Sequence, residues 1–319
     1  MTDRIGNASL VGSLVNSVQG DQNTLVNLQQ LLATGNNISK PSDSPVGISN
    51  LLAVQTGLSR ANQFVANAKD GSTMLGVANG AMSTAMNVLQ QARTAILSAG
   101  NGALPSASIK AIANQINGYV QTLAGIANTQ YLGVAIFGGT SGAQSAYTPT
   151  TTSGTTVYTY QGNGVAPSRT VAPGVTVNAS LADAFGTGNP PSNPASPVSG
   201  ELGYANNTAN IMTTLSSIVK DLQSGSSANM STDLGKFDTA FAVFQTNAGQ
   251  VGAQYQQMQA MQQQTTYTQQ SLNTQLGAIQ NVDVASVSTQ YQQALSNYQV
   301  ALYATAQLGQ QPSLATYLH

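Results

Sequence analysis

The stretch VGAQYQQMQAMQQQTTYTQQSLNTQLGAI, from Val251 to Ile279, decides the fold class of this chain. Seam positions recur in it at alternating steps of four and three residues, and most of them are apolar or aromatic. These positions are Val251, Tyr255, Met258, Gln262, Thr265, Gln269, Leu272, Leu276 and Ile279. The spacing predicts a long amphipathic helix with a heptad stripe, because polar residues occupy most of the positions between.

The same spacing resumes after Asp283 and extends the helical prediction towards the end of the chain. Its seam positions are Val284, Val287, Tyr291, Ala294, Tyr298, Ala301, Thr305 and Leu308, with Leu295 and Leu302 beside them. A single helix of about 60 residues would be about 90 Å long. Since such a helix cannot fold back into one globule, we expect it to lie along a partner helix.

The N-terminal segment offers such a partner. Its stripe consists of Val11, Val15, Val18, Leu25, Leu28 and Leu32, with Gln22 and Gln29 at two further seam positions. We expect this stripe to pair with the C-terminal residues Tyr291, Leu295, Tyr298 and Leu302. The alternative left open is that some of these side chains face the core of their own domain rather than another subunit.

Proline, glycine and threonine divide the chain into parts. Seven of the eleven prolines lie between Pro149 and Pro197. Val157 to Tyr160 and Val171 to Val177 are β-branched and aromatic, which is typical of strands. The predicted fold class is mainly α with a small β domain. The predicted domains are a terminal coiled coil (1–45 and 284–319), a helical middle domain (46–138 and 206–283) and an outer β-rich domain (139–205).

The composition argues against several classes of function. Charged residues make up 6% of the chain and the net charge is −1, so no basic face favours nucleic acid or a membrane surface. The chain has no Cys, and its one His is the last residue, His319. We therefore predict a non-enzyme with no catalytic residue, no cofactor and no metal site, although a carboxylate pair formed across the fold stays possible.

Neither a cleaved signal peptide nor a membrane span is expected. The segment from Met1 to Val18 lacks a cationic start, a continuous apolar core and a small-residue cleavage site. No stretch reaches the roughly 18 apolar residues that a spanning helix needs. If the protein is exported, we expect a route that requires no cleaved signal.

Several ordered motifs resemble those of flagellins and hook-associated proteins. The N-terminal ones are Leu32-Ala33-Thr34-Gly35, Pro41 to Gly47, Asn101-Gly102, Ile112 to Ile116 and Ile126 to Asn128. The C-terminal ones are Val251-Gly252-Ala253, Asn281 to Ala285 and Pro312 to Leu318. Gln115 stands where that family often has Glu. Ile136 to Thr140 and the Ser-Leu-x-x-Tyr-Leu ending resemble the hook–filament junction group within the family.

The resemblance implies a structural role in the bacterial flagellum. Terminal helices would pair near the axis of a hollow tube, and the central segment would project outwards. The implied partners are copies of the same chain, the first hook-associated protein, flagellin and a dedicated export chaperone. The implied location is extracellular, in the flagellum, after type III export. The alternatives are a flagellin filament subunit or, from a different class, a secreted adhesin or hydrolase on a helical stalk.

Overall fold

A computed structural model describes residues 2–38, 40, 44–100, 104–152, 154–186, 210–224 and 229–309, with side chains described from residue 12 to residue 307. Within these ranges the chain forms six helices and three two-stranded antiparallel hairpins. The helices are α1 (Thr2–Thr34), α2 (Pro45–Ala99), α3 (Ser106–Ala127), α4 (Ile211–Gln223), α5 (Met230–Gln280) and α6 (Val284–Gly309). The strands are β1 (Gln130–Tyr131), β2 (Val134–Ala135), β3 (Tyr147–Thr152), β4 (Thr155–Tyr160), β5 (Ser168–Ala172) and β6 (Val175–Asn178). The predicted fold class is confirmed.

The chain divides into two compact units. The terminal unit comprises Met1–Ser59 and Gln270–His319, and the central unit comprises Arg60–Gln269. The three-domain division proposed from the sequence stays a prediction, and residues 187–205 of its outer domain lie outside the described residues.

The heptad stripe from Val251 to Ile279 is confirmed, but the single helix of about 60 residues is wrong. Every seam position from Val251 to Ile279 is buried or half-buried on α5. The helix then ends at Gln280, and α6 begins at Val284. Asp283 caps the new helix, because its Oδ1 accepts hydrogen bonds from the amides of Ala285 (3.0 Å) and Ser286 (3.2 Å).

Helix α2 begins at a proline, which occupies the first helical position, where a missing N–H costs little. The Ser44 hydroxyl accepts a hydrogen bond from the Gly47 amide at 3.0 Å, as expected of a capping residue. The helix runs for 55 residues, from Pro45 to Ala99.

One contiguous apolar core holds the central unit together. On α2 it is formed by Leu75, Met82, Leu89 and Ile96, none of which is more than marginally exposed. Residues of α3, α4 and α5, including Ile116, Leu123, Ile218, Phe237 and Phe244, and residues of the β-rich segment complete it. The period of about 3.6 residues in these helices therefore reports burial in a helical core.

The β-rich part consists of separate hairpins. The predicted strand at Val157 to Tyr160 lies in β4, whereas the predicted stretch from Val171 to Val177 is split into β5 and β6 by a turn at Gly174 (φ +73°). Strand β3 was not predicted, because it contains Pro149, which pairs in register with Tyr158. Proline is tolerated there because β3 has a neighbour on one side only.

Candidate assembly surface

The segment after α1 meets the segment before α6 at a short clasp, residues 35–37 and 280–282, inside the terminal unit. Gly35 ends α1 in a left-handed conformation (φ +68°), which glycine adopts without steric cost. The Asn37 amide donates a hydrogen bond to the Gln280 carbonyl at 2.7 Å, and the Val282 amide donates to the Gly35 carbonyl at 3.1 Å. Helices α1 and α6 pack together. Because α1 ends at this clasp and α6 begins there, the two helices run antiparallel.

The buried stripe of α1 differs in part from the predicted one. Its covered residues repeat at steps of four and three: Leu14, Val18, Asp21, Leu25, Leu28 and Leu32. Gln22 and Gln29 were predicted at seam positions, but both are exposed. The covered face is shifted around the helix relative to the predicted one, because the step of seven residues from Val18 to Leu25 passes through residue 21 rather than residue 22. A carboxylate therefore occupies the seam.

The stripe of α6 follows the predicted heptads closely. Half-buried residues on it are Val287, Tyr291, Ala294, Tyr298, Ala301 and Thr305. Val284 departs from the prediction, since it is 57% exposed at the start of the helix. Leu308 has no described side chain. The stripes of α1 and α6 give each helix one covered face.

The ten predicted seam residues are covered to different degrees. Leu28 is buried, and Val18, Leu25, Leu32, Tyr291 and Tyr298 are half-buried. Val15, Leu295 and Leu302 are 42%, 37% and 44% exposed. The side chain of Val11 lies outside the described residues. The isolated chain thus leaves large apolar side chains uncovered along α1 and α6. Coverage of these side chains by a neighbouring subunit stays a prediction.

Asp21 is the residue that the sequence reasoning missed. It is half-buried at the α1 seam, and α6 carries no charged residue from Val284 to Gly309. Counting back in steps of four and three from Leu32 would have found it. A charge at one seam position weakens a coil but restricts its register. Asp21 therefore places one charged side chain in a seam whose α6 side is uncharged.

In the central unit, the Ile136-Phe137-Gly138-Gly139 motif shapes a turn. Ile136 and Phe137 are fully buried, and the Phe137 ring packs edge-on against Phe185 at 5.4 Å. Gly139 has φ +70°, and a Cβ on it would lie 2.5 Å from Asn163 Oδ1 and 2.7 Å from the Val165 carbonyl oxygen. The motif therefore serves packing and turn geometry.

A polar cluster fastens the β5–β6 hairpin to α2. Arg169 Nε lies 2.8 Å from Asp70 Oδ2, and the Tyr131 hydroxyl donates to Asp70 Oδ1 at 2.9 Å. Burial raises the pKa of Asp70, but the hydrogen bonds from Arg169 and Tyr131 outweigh it, so the net shift is downward. The side-chain amide of Asn67 also donates a hydrogen bond to the Thr170 carbonyl at 2.8 Å. The hairpin is thus held in a fixed position on the helix.

The described residues contain no group of three or more His, Cys, Asp or Glu side chains suited to a metal ion. An open groove of about 450 Å³ between α2 and α5 contains Arg93 and Asp238, which already pair with each other at 2.8 Å. Among the described helices, none combines the length and apolarity that crossing a bilayer requires.

Fold and surface together define a helical subunit whose paired chain ends leave apolar residues uncovered. The chain belongs to the bacterial flagellin family. Residues 8–142 match the model of the bacterial flagellin N-terminal helical region, and residues 234–318 match the model of the C-terminal helical region. A comparison with curated proteins gives no match.

Solved structures share this fold at low sequence identity. A Vibrio parahaemolyticus protein assigned as a flagellar hook-associated protein aligns with a TM-score of 0.59 and 18% identity, over 75% of this chain and 100% of its own. Bacillus cereus FlgL aligns with a TM-score of 0.53 and 17% identity, over 70% and 99%. The flagellar junction protein FlgL from Legionella pneumophila gives 0.50 and 15%, over 76% and 100%.

Proposed function

We propose that this chain is a structural subunit of the bacterial flagellum that forms the layer joining hook to filament. The observation that carries the proposal is the terminal unit, in which α1 and α6 pair yet leave Val15, Leu295 and Leu302 exposed. Burying those side chains against a neighbouring copy is favourable by roughly 25 cal/mol per Å² of apolar area. Assembly would therefore complete a coil that the single chain leaves partly open.

The junction position is supported by two features. The flagellin-family ends fit an assembled flagellar protein, and the neighbours in the fold include proteins named for the hook-associated and junction classes. In this proposal the layer contacts the first hook-associated protein on one side and flagellin on the other. Head-to-tail contacts that do not close would generate such a layer without any catalytic step.

The function is tested by immunogold electron microscopy of intact flagella with an antibody against residues 140–186, using cells that lack the gene as the control. A single short band where hook meets filament is expected. Label along the whole filament would instead identify the chain as a filament subunit. Absence of label from flagella, with the protein present in the medium, would favour a secreted helical stalk.

The mechanism is tested separately by deleting residues 285–319, which removes nearly all of α6. The central unit keeps its own core, so the truncated chain is expected to stay folded there while failing to enter flagella. Circular dichroism and limited proteolysis would verify the central unit. If the truncated chain still enters flagella, the terminal coil is not the assembly element, wherever in the flagellum the protein is located.

A further inference from the structure

Helix α4 ends and α5 begins beside two carboxyl side chains. Asp233, in the first turn of α5, is 3% exposed, and Asp221, near the end of α4, is half-buried. Asp233 Oδ1 accepts a hydrogen bond from Lys236 Nζ at 3.4 Å. Its Oδ2 is fully buried and has no hydrogen-bond partner in the described part of the chain. Asp221 is the neighbouring carboxyl that acts on Asp233 through a hydrogen bond and through its charge.

Two ionised carboxylates cannot satisfy each other, because each only accepts hydrogen bonds. A buried acceptor left without a donor is costly, and two negative charges at this distance repel. A single proton removes both the missing hydrogen bond and the repulsion, because a protonated carboxyl is neutral and donates to its neighbour. Burial, and then the hydrogen bond and charge of Asp221, raise the pKa of Asp233. The charge of Lys236 opposes this shift without reversing it.

The other charged groups on the surrounding helices do not compensate the pair. Lys220 of α4 and Lys110 of α3 are exposed. Arg93 of α2 is bound to Asp238 of α5 at 2.8 Å. Within the described residues, Lys236 is thus the cation that reaches Asp233, and it balances one negative charge rather than two.

We propose that Asp221 and Asp233 hold one proton between them, and that this pair fastens the end of α4 to the first turn of α5 in a pH-dependent manner. The folded protein keeps the proton at a pH where the unfolded chain has lost it. The stabilising contribution is complete below the ordinary carboxyl pKa and is lost as pH rises through the raised value. Above that value Asp233 is ionised, its buried Oδ2 has no donor, and the contact between α4 and α5 loosens. This device is independent of the proposed junction role.

The test uses full-length protein carrying Asp183→Asn, because Asp183 is a second buried carboxyl that could hold a proton. Infrared difference spectra recorded as pH rises from the ordinary carboxyl range are expected to show the C=O stretch of a carboxyl that stays protonated after the exposed carboxyls have ionised. Adding either Asp233→Asn or Asp221→Asn should abolish this band, whereas Asp238→Asn, at the ion-paired carboxylate of the same helix, should keep it. The side-chain amide that Asp233→Asn introduces can donate to Asp221, so this variant should also raise the denaturation midpoint at alkaline pH.

Three results would overturn the proposal. The first is an Asp183→Asn protein without a protonated-carboxyl band. The second is a band that survives both Asp221→Asn and Asp233→Asn. The third is a denaturation midpoint that Asp233→Asn lowers equally at every pH, as expected of a residue with only a packing role. Asp221→Asn keeps the test decisive if the buried variant folds poorly, because Asp221 is only half-buried.

Discussion

Asp183 accepts a hydrogen bond of 3.2 Å from the Tyr147 hydroxyl inside the aromatic cluster of the central unit. The same hydroxyl accepts a hydrogen bond from the Phe185 amide at 3.2 Å. Burial raises the pKa of Asp183 to about 7, against an ordinary value of 3.8, although the Tyr147 hydrogen bond lowers it. A carboxyl group in the core of the central unit therefore titrates near neutral pH.

We expect the free energy of unfolding of the central unit to fall as pH rises through about 7. The folded pKa lies above the unfolded one, so this contribution is complete below 3.8 and is lost through about 7. The slope approaches about 1.4 kcal/mol per pH unit for one proton. Asp183→Asn should reduce the slope, because the Asn side chain does not titrate. The variant should still fold, because Asn keeps the hydrogen bond and tolerates the left-handed backbone (φ +61°).

Denaturation followed by circular dichroism at several pH values checks this prediction. Asp238→Asn is the matched control, since the hydrogen bond from Arg93 lowers the pKa of Asp238 and the group is ionised throughout the neutral range. It should lower stability slightly without altering the slope. An unchanged slope in Asp183→Asn would contradict the assignment of a titrating buried carboxyl.

Gly139→Ala should destabilise the turn that follows Phe137 by about 1–3 kcal/mol, because the residue combines a positive φ with crowding. Gly142 has a nearly identical φ (+71°, against +70°), but a Cβ there would meet open space. Gly142→Ala is therefore the matched control for the backbone cost alone. In thermal unfolding, Gly142→Ala should have a higher melting temperature than Gly139→Ala. Equal melting temperatures would show that crowding by Asn163 and Val165 contributes nothing.

Leu89→Ala tests whether the central core carries the stability of its unit. Leu89 is fully buried on α2, whereas Leu97 on the same helix is 46% exposed. Removing Leu89 should cost about 2–5 kcal/mol through lost burial and the cavity left behind. Leu97→Ala should stay within about 0.5 kcal/mol of the parent. Chemical denaturation distinguishes them, and similar losses would mean that the core does not dominate stability.

The sequence predicted the helical elements better than their details. The heptads of α5 and α6 were readable because helix burial repeats in sequence. The break at Asn281–Asp283 was not predicted as a helix end, since the apolar period resumes beyond it. Strand β3 was missed because its threonines and Pro149 look like a turn. The pair of Asp221 and Asp233 comes from different helices, so only the tertiary fold reveals it.

Asp21→Leu should stabilise the terminal unit by about 1 kcal/mol, because a polar seam residue costs coil stability. Gln22→Leu is the control, since the side chain at that position is exposed. Thermal melts of the full chain, followed by circular dichroism, should show a higher transition for the first variant only. A gain in Gln22→Leu alone would place residue 21 outside the seam and restore the stripe predicted from the sequence, and an equal gain in both would contradict the difference in burial between the two positions.

Replacing Leu295 and Leu302 with Asn should weaken self-association without unfolding the single chain, because both side chains are more than one-third exposed beside the α6 stripe. Val300→Asn is the matched control. Val300 is 66% exposed and lies roughly 140–160° around the helix from the two leucines. If neighbouring copies cover the seam, sedimentation should show smaller assemblies for the leucine variant and parent-like ones for Val300→Asn. Equal weakening in both would mean that copies contact α6 all around, and no weakening in either would remove α6 from the interface.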